Sequence, residues 1–269
     1  MDEPVVEQLE TVWASIAALC ADLDDRDWNT PTALPGWTVK DCLSHIVGAE
    51  RTLAGDPPST AEVSHLPHVT SPFAEMIEVE VEARRTRTGA EVLAELTEIV
   101  PRRLAQLRAM TDREMATPGW SPIGEVPYRD FMEVRVFDCW MHEQDIRRAL
   151  GRPGHLEGPV VDTAMERFRA AMGFVVGKRA AAPEGASVVL AVSGRPELVF
   201  PVVVTDGRAR LVDDEPAAPT VRIELPFETF VALGGGRWDR AEAVAHGGVV
   251  VDGDDDLGRR VLDGMAFTP

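Results

Sequence analysis

Apolar side chains recur at spacings of three and four along the start of the chain. Val5, Val6, Leu9, Val12, Trp13, Ile16, Leu19 and Leu23 form one stripe, the pattern of an amphipathic helix packed on others. Breakers follow at Pro31 and Pro35-Gly36. Thr38 and Asp41, three apart, then form a capping-box variant opening a second helix to about Leu53, with Val39, Leu43, Ile46 and Val47 on its buried side. Residues 56–72 are rich in proline and read as a loop, and Met76, Ile77 and Val81 predict a helix ending before Gly89. Val92, Leu93, Leu96, Ile99, Val100, Leu104 and Leu107 mark a helix over residues 91–110, with Pro101 placed to kink it. Residues 118–127 read as a further Pro- and Gly-rich loop. A long helix is predicted over 128–150, with Phe131, Val134, Phe137, Trp140, Met141 and Ile146 inside and Gly151 and Pro153 as its stop. Four such helices make a bundle.

The texture changes after a further helix over residues 161–176. Short β-branched runs at 187–192, 198–204, 209–212 and 221–225 are separated by Gly, Pro and Asp turns, and two short helical patterns follow at 227–233 and 257–265. The expected architecture is α+β with two domains: a helix bundle over residues 1–155 and a smaller α+β domain over 156–269, joined near Gly151 to Pro159.

Composition narrows the functional classes. The 269 residues are 45% hydrophobic, enough for a real core, and the formal net charge of -18 leaves no basic surface for nucleic acid. The three cysteines Cys20, Cys42 and Cys139 carry no CxxC spacing, which argues against a disulfide framework and fits a reducing cytoplasm. The acidic N-terminus and the absence of an apolar run of roughly 18 residues predict neither export nor a membrane anchor. The expected partners are small molecules, and the chain is expected to be a monomer or homodimer.

Candidate chemistry concentrates on the long helix. Asp138 and His142 are four apart, about 40° from one another around the axis, so both can address one ion. Asp145 is placed to orient the His142 ring, whereas Glu133 points to roughly the opposite face. An Asp-x3-His pair also occurs as a solvated pair or a satisfied core histidine, and a third ligand decides between these readings. His45, amid apolar residues of the second helix, is the natural supplier. His45, Asp138 and His142 make two imidazoles and a carboxylate, a zinc set of catalytic type with a position left open. His65, His68, His155 and His246 read as surface residues. Cys42 and Cys139 adjoin the candidate ligands but read first as small buried hydrophobes. Trp37 and Trp140 serve either as pocket walls or as core. Nucleotide-binding and serine-hydrolase motifs are absent, and Gly234-Gly235-Gly236 follows a helix rather than a strand.

The run from Leu34-Pro35-Gly36-Trp37 to His45, followed by Asp138-Cys139-Trp140-Met141-His142 and Asp145, resembles the mycothiol-dependent maleylpyruvate isomerase family. Phe230, Leu233, Gly236-Arg237, Gly253-Asp254, Leu257 and Leu262 extend the likeness to the C-terminal end. The resemblance implies a DinB-like metal-binding four-helix bundle and a sterol-carrier-like C-terminal domain. It places the metal triad on His45, Asp138 and His142, with aspartate standing where characterised isomerases carry glutamate. It further implies a divalent metal, expected to be zinc, and mycothiol, whose thiol the metal converts to thiolate for attack on a small electrophilic substrate, as isomerase or S-transferase. Arg135, three before Asp138, and Arg237 are the candidate catalytic cations for an anionic substrate, although each also reads as a surface arginine. The alternative expectation is a non-catalytic metal-binding bundle whose C-terminal domain holds a ligand or partner.

Overall fold

The computed structural model describes residues 3–268. It divides into two compact units, one up to Thr163 and one from Ala164 on. The first contains α1 (Pro4–Cys20), α2 (Asp25–Trp28), α3 (Val39–Leu53), α4 (Pro72–Glu82), α5 (Gly89–Ala109), α6 (Asp112–Met115), β1 (Pro118–Ser121), β2 (Gly124–Pro127) and α7 (Tyr128–Leu150). Helix α8 (Pro159–Phe174) crosses into the second unit, followed by a π-helical turn (Val175–Arg179), β3 (Ser187–Ser193), β4 (Leu198–Thr205), β5 (Arg208–Leu211) and β6 (Val221–Pro226). Helices α9 (Phe227–Gly234) and α10 (Arg240–His246), strand β7 (Val250–Gly253) and helix α11 (Asp255–Asp263) complete it.

Helices α1, α3, α5 and α7 form the bundle, α1 and α3 each packing on both α5 and α7. The stripe read from the sequence is its core: Leu9, Val12, Ile16, Leu43, Ile46, Val47, Val92 and Ile146 are fully buried. Their removal from water drives the assembly. Local chemistry sets the helix ends. Thr88 and Glu91 cap α5 reciprocally, and Gly151, at φ +62°, closes α7 in the left-handed conformation. Pro101 lies inside α5, which runs through it unbroken.

Residues 118–127 depart from the expected loop. They form an antiparallel hairpin pairing Pro118 with Pro127, whose tip is held by the Ser121 hydroxyl donating to the Gly124 carbonyl at 2.6 Å. Gly124 sits at φ +110°, open only to glycine, so the residues that read as breakers build the turn itself.

The second unit carries a five-stranded sheet in the order β5-β4-β3-β6-β7. Only β3 and β6 are parallel, with Leu190 opposite Ile223, and every other pairing is antiparallel. Phe168, Phe200 and Phe230 cluster in its core, with Phe200 and Phe230 stacked at 5.2 Å. Helix α10 and strand β7 fall where the sequence showed no pattern, and His246 is the last residue of α10. Among the described residues no helix is long and apolar enough to cross a membrane.

Candidate metal centre

Two helices bring the candidate ligands together. On α3, the buried Asp41 carboxylate accepts from the Thr38 backbone N–H at 2.8 Å and from its hydroxyl at 2.9 Å, fixing the helix start seven residues before His45. His45 then lies on the inner face of α3, while Asp138 and His142 share one face of α7. His45 Nε2 lies 3.0 Å from Asp138 Oδ2, and His142 Nε2 lies 3.6 Å from Asp138 Oδ1. One ligand atom from each residue falls within 4.8 Å of the others. Both histidines are buried, and Asp138, with 31% of its side chain exposed, opens the cluster to solvent.

Trp37 forms a wall over the pair. Its ring centroid is 5.5 Å from those of His45 and His142, which are themselves 4.8 Å apart. The turn before it is tightly built. Gly36 adopts φ +78°, and a Cβ there would lie 2.6 Å from His68 Nδ1. The buried Glu78 of α4 accepts from Trp37 Nε1 at 2.8 Å and pairs with His68 and Arg85, so His68 is a structural residue rather than a surface one.

Electrostatics divide the two imidazoles. Burial pushes the His45 pKa down against the pull of Asp138, leaving a neutral ring with a lone pair to donate. Burial also opposes charge on His142, yet Asp138, Asp145 and Cys42 prevail and hold its pKa well above the ordinary value. Asp138, despite its own desolvation, is kept well below the usual carboxylate range by His45 and Arg135. His142 Nδ1 faces the fully buried Asp145 at 3.3 Å, and Arg148 braces that carboxylate at 3.4 Å. Cys42, His142 and Asp145 form a second group of metal-compatible atoms on this side. Asp145 is thus placed to fix the ring with Nε2 turned to Asp138.

Arg135 is buried and reaches Asp138 through Nη1, while its Nε and Nη2 reach Glu50 Oε1 at 3.1 and 2.9 Å. Arg237, in the second unit, follows α9 and donates from Nη1 to the Gly235 carbonyl at 2.5 Å. Glu133 is exposed. Trp140 is core, its Nε1 donating to the His155 carbonyl, and His155 Nδ1 meets the buried Glu143 at 2.7 Å, again not a surface position. Glu50 and Glu78 escaped the sequence reading because a glutamate on a helix carries no mark of its distant partner.

A donor set of two imidazole nitrogens and one carboxylate suits a divalent ion with an open position. The model of the mycothiol maleylpyruvate isomerase N-terminal domain matches residues 9–147, more than half of the chain, including all three of these residues. The chain belongs to this family. Among solved structures, this mycothiol maleylpyruvate isomerase family member is similar to a crystal structure of the mycothiol-dependent maleylpyruvate isomerase at 16% identity. The alignment covers 93% of this chain and 92% of the other, with a TM-score of 0.59. A histidine-to-alanine mutant of a mycothiol-dependent maleylpyruvate isomerase matches with the same coverage and a TM-score of 0.58. These likenesses establish the shared α+β fold over nearly the whole length. No curated protein matches the sequence.

Proposed function

We propose that this chain is a metal-dependent enzyme that activates mycothiol for attack on a small electrophilic substrate, acting as a maleylpyruvate-type isomerase or as an S-transferase. The observation that carries the reading is the convergence of His45, Asp138 and His142 within 4.8 Å, with both histidines buried and the Asp138 side chain 31% exposed. Family membership and the likeness to mycothiol-dependent maleylpyruvate isomerase support the thiol and the reaction class.

His45, Asp138 and His142 would hold the ion, for which zinc is the expected occupant. A divalent metal at an open position lowers the pKa of a bound thiol and so supplies a thiolate at neutral pH. The chain's residues do the rest. Burial favours the neutral form of His45, Asp138 supplies the negative charge, and Asp145 orients His142. Trp37 keeps water from one side of the two rings. As an isomerase, the thiolate would add to a conjugated double bond, allow rotation and leave again; as a transferase, the adduct would be the product. Arg237 is the cation we assign to a substrate carboxylate, on the family likeness of Gly236-Arg237. We also keep the expected division at residue 155, with the metal ligands in the bundle.

Elemental analysis of untagged protein, followed by titration of the metal-loaded form with mycothiol and with glutathione as control, tests this reading. One equivalent of zinc and selective mycothiol binding are expected. Metal without thiol binding would replace it with a binding module, and absence of metal would overturn it.

A further inference from the structure

Three buried charged side chains form a chain that ends on the candidate carboxylate ligand. Arg103 of α5 donates from Nε to Glu50 Oε2 at 3.0 Å, and Tyr128 and Gln106 hold its other nitrogens at 3.3 and 3.2 Å. The other Glu50 oxygen takes two nitrogens of Arg135. The third Arg135 nitrogen, Nη1, donates to Asp138 Oδ2, one helical turn along α7. Glu50 is 1% exposed, Arg103 2% and Arg135 6%, so none of the three is a solvated surface charge.

Burying such a network is a poor route to stability, because each ion loses its hydration and apolar side chains of similar volume serve as well. Its geometry suggests another use. Glu50 lies on α3, five residues after His45, and Arg135 lies on α7, three before Asp138. The network therefore cross-links the two ligand-bearing helices independently of any ion. A guanidinium is a rigid planar fork, and with two of its nitrogens fixed by Glu50 the third has a defined direction. Asp138 is the most exposed of the three candidate ligands and has the most freedom to turn into solvent.

We propose that Glu50 and Arg135 are positioning residues that hold the Asp138 carboxylate in its metal-binding orientation. Arg135 thus acts on the ligand rather than on the substrate. This inference rests on the metal-enzyme reading above.

Zinc affinity tests it, measured on metal-stripped full-length protein by competition with a chromogenic chelator. Arg135→Leu removes the grip but leaves the Arg103–Glu50 pair intact, and Asp138 retains water. Its affinity is expected to fall by about 10–100-fold, the range for residues that support a metal ligand. Arg135→Lys retains the charge beside Glu50 but has no fork to span both carboxylates, so its affinity should fall between those of parent and Leu variant. This partial rescue would not appear if the residue merely filled space. Circular dichroism of each stripped variant verifies the fold, and if the Leu variant fails to fold, the Lys variant decides alone. Zinc binding by the folded variants within twofold of the parent, or tighter, overturns the assignment. A parent that takes up no zinc overturns it together with the functional reading.

Discussion

His45 and Asp138, 93 residues apart in the chain, meet at 3.0 Å between Nε2 and Oδ2. The contact joins α3 to α7, and it places a neutral imidazole beside a carboxylate held ionised. Such a pair needs only His142, already one turn further along α7, to complete a metal-binding face.

Replacing His142 with alanine should remove metal binding with little cost to the fold. Alanine is the best helix former, and α7 keeps the rest of its buried side. Zinc affinity is expected to fall by more than the roughly 10–100-fold that loss of a supporting residue causes. Far-ultraviolet circular dichroism should be unchanged. Metal stoichiometry that survives this change would remove His142 from the ligand set.

Trp37→Phe keeps an aromatic wall beside the histidines but deletes the Nε1 donor to Glu78. Glu78 retains Arg85 and His68, so the loss is limited to one hydrogen bond to a charged acceptor, about 1.5–3 kcal/mol. Chemical denaturation should show this loss while zinc affinity stays near that of the parent. A stability equal to the parent's would show that Glu78 does not hold the turn.

Gly89 opens α5 directly under the buried Trp28 ring. A Cβ there would lie 2.0 Å from Trp28 Cδ2, closer than any real contact. Gly89→Ala should therefore lower stability by about 1–3 kcal/mol, the cost of overpacking, although alanine favours helix. An unchanged melting temperature would mean that Trp28 moves freely aside.

Alkaline pH should destabilise the protein through Cys20. Burial is the main cause that pushes its pKa up to about 12 from an ordinary thiol value of 9.0. Because the folded pKa is the higher one, the unfolded chain loses its proton first as pH rises. Stability is therefore full below about pH 9 and declines towards pH 12, by at most about 4 kcal/mol. Melting temperatures across pH 8–11 should fall less steeply for Cys20→Ala than for the parent, and parallel curves would contradict the assignment.

Much of the bundle was legible because its signals are local. The stripe from Val5 to Leu19 predicts α1, the Thr38 and Asp41 pair predicts the start of α3, and Gly151 predicts the end of α7. The strands β3, β4 and β6 followed from β-branched runs between turn residues. The hairpin at 118–127 was not legible, since each of its strands has four residues and burial as weak as that of a loop. Helix α10 and strand β7 escaped for a similar reason: Ala243 is the only buried residue of α10, and β7 has none.

The sequence by itself determined which helices form and which faces they bury, because periodicity and caps depend on neighbours within four residues. It also paired Asp138 with His142, for the same reason. Tertiary structure alone decided which distant charges meet. Glu50, Glu78, Arg103 and Arg135 carry ordinary helical spacings, and such residues default to solvent. Only the packing of α3, α4, α5 and α7 removes them from water, and each must then find the partner that compensates for its lost hydration.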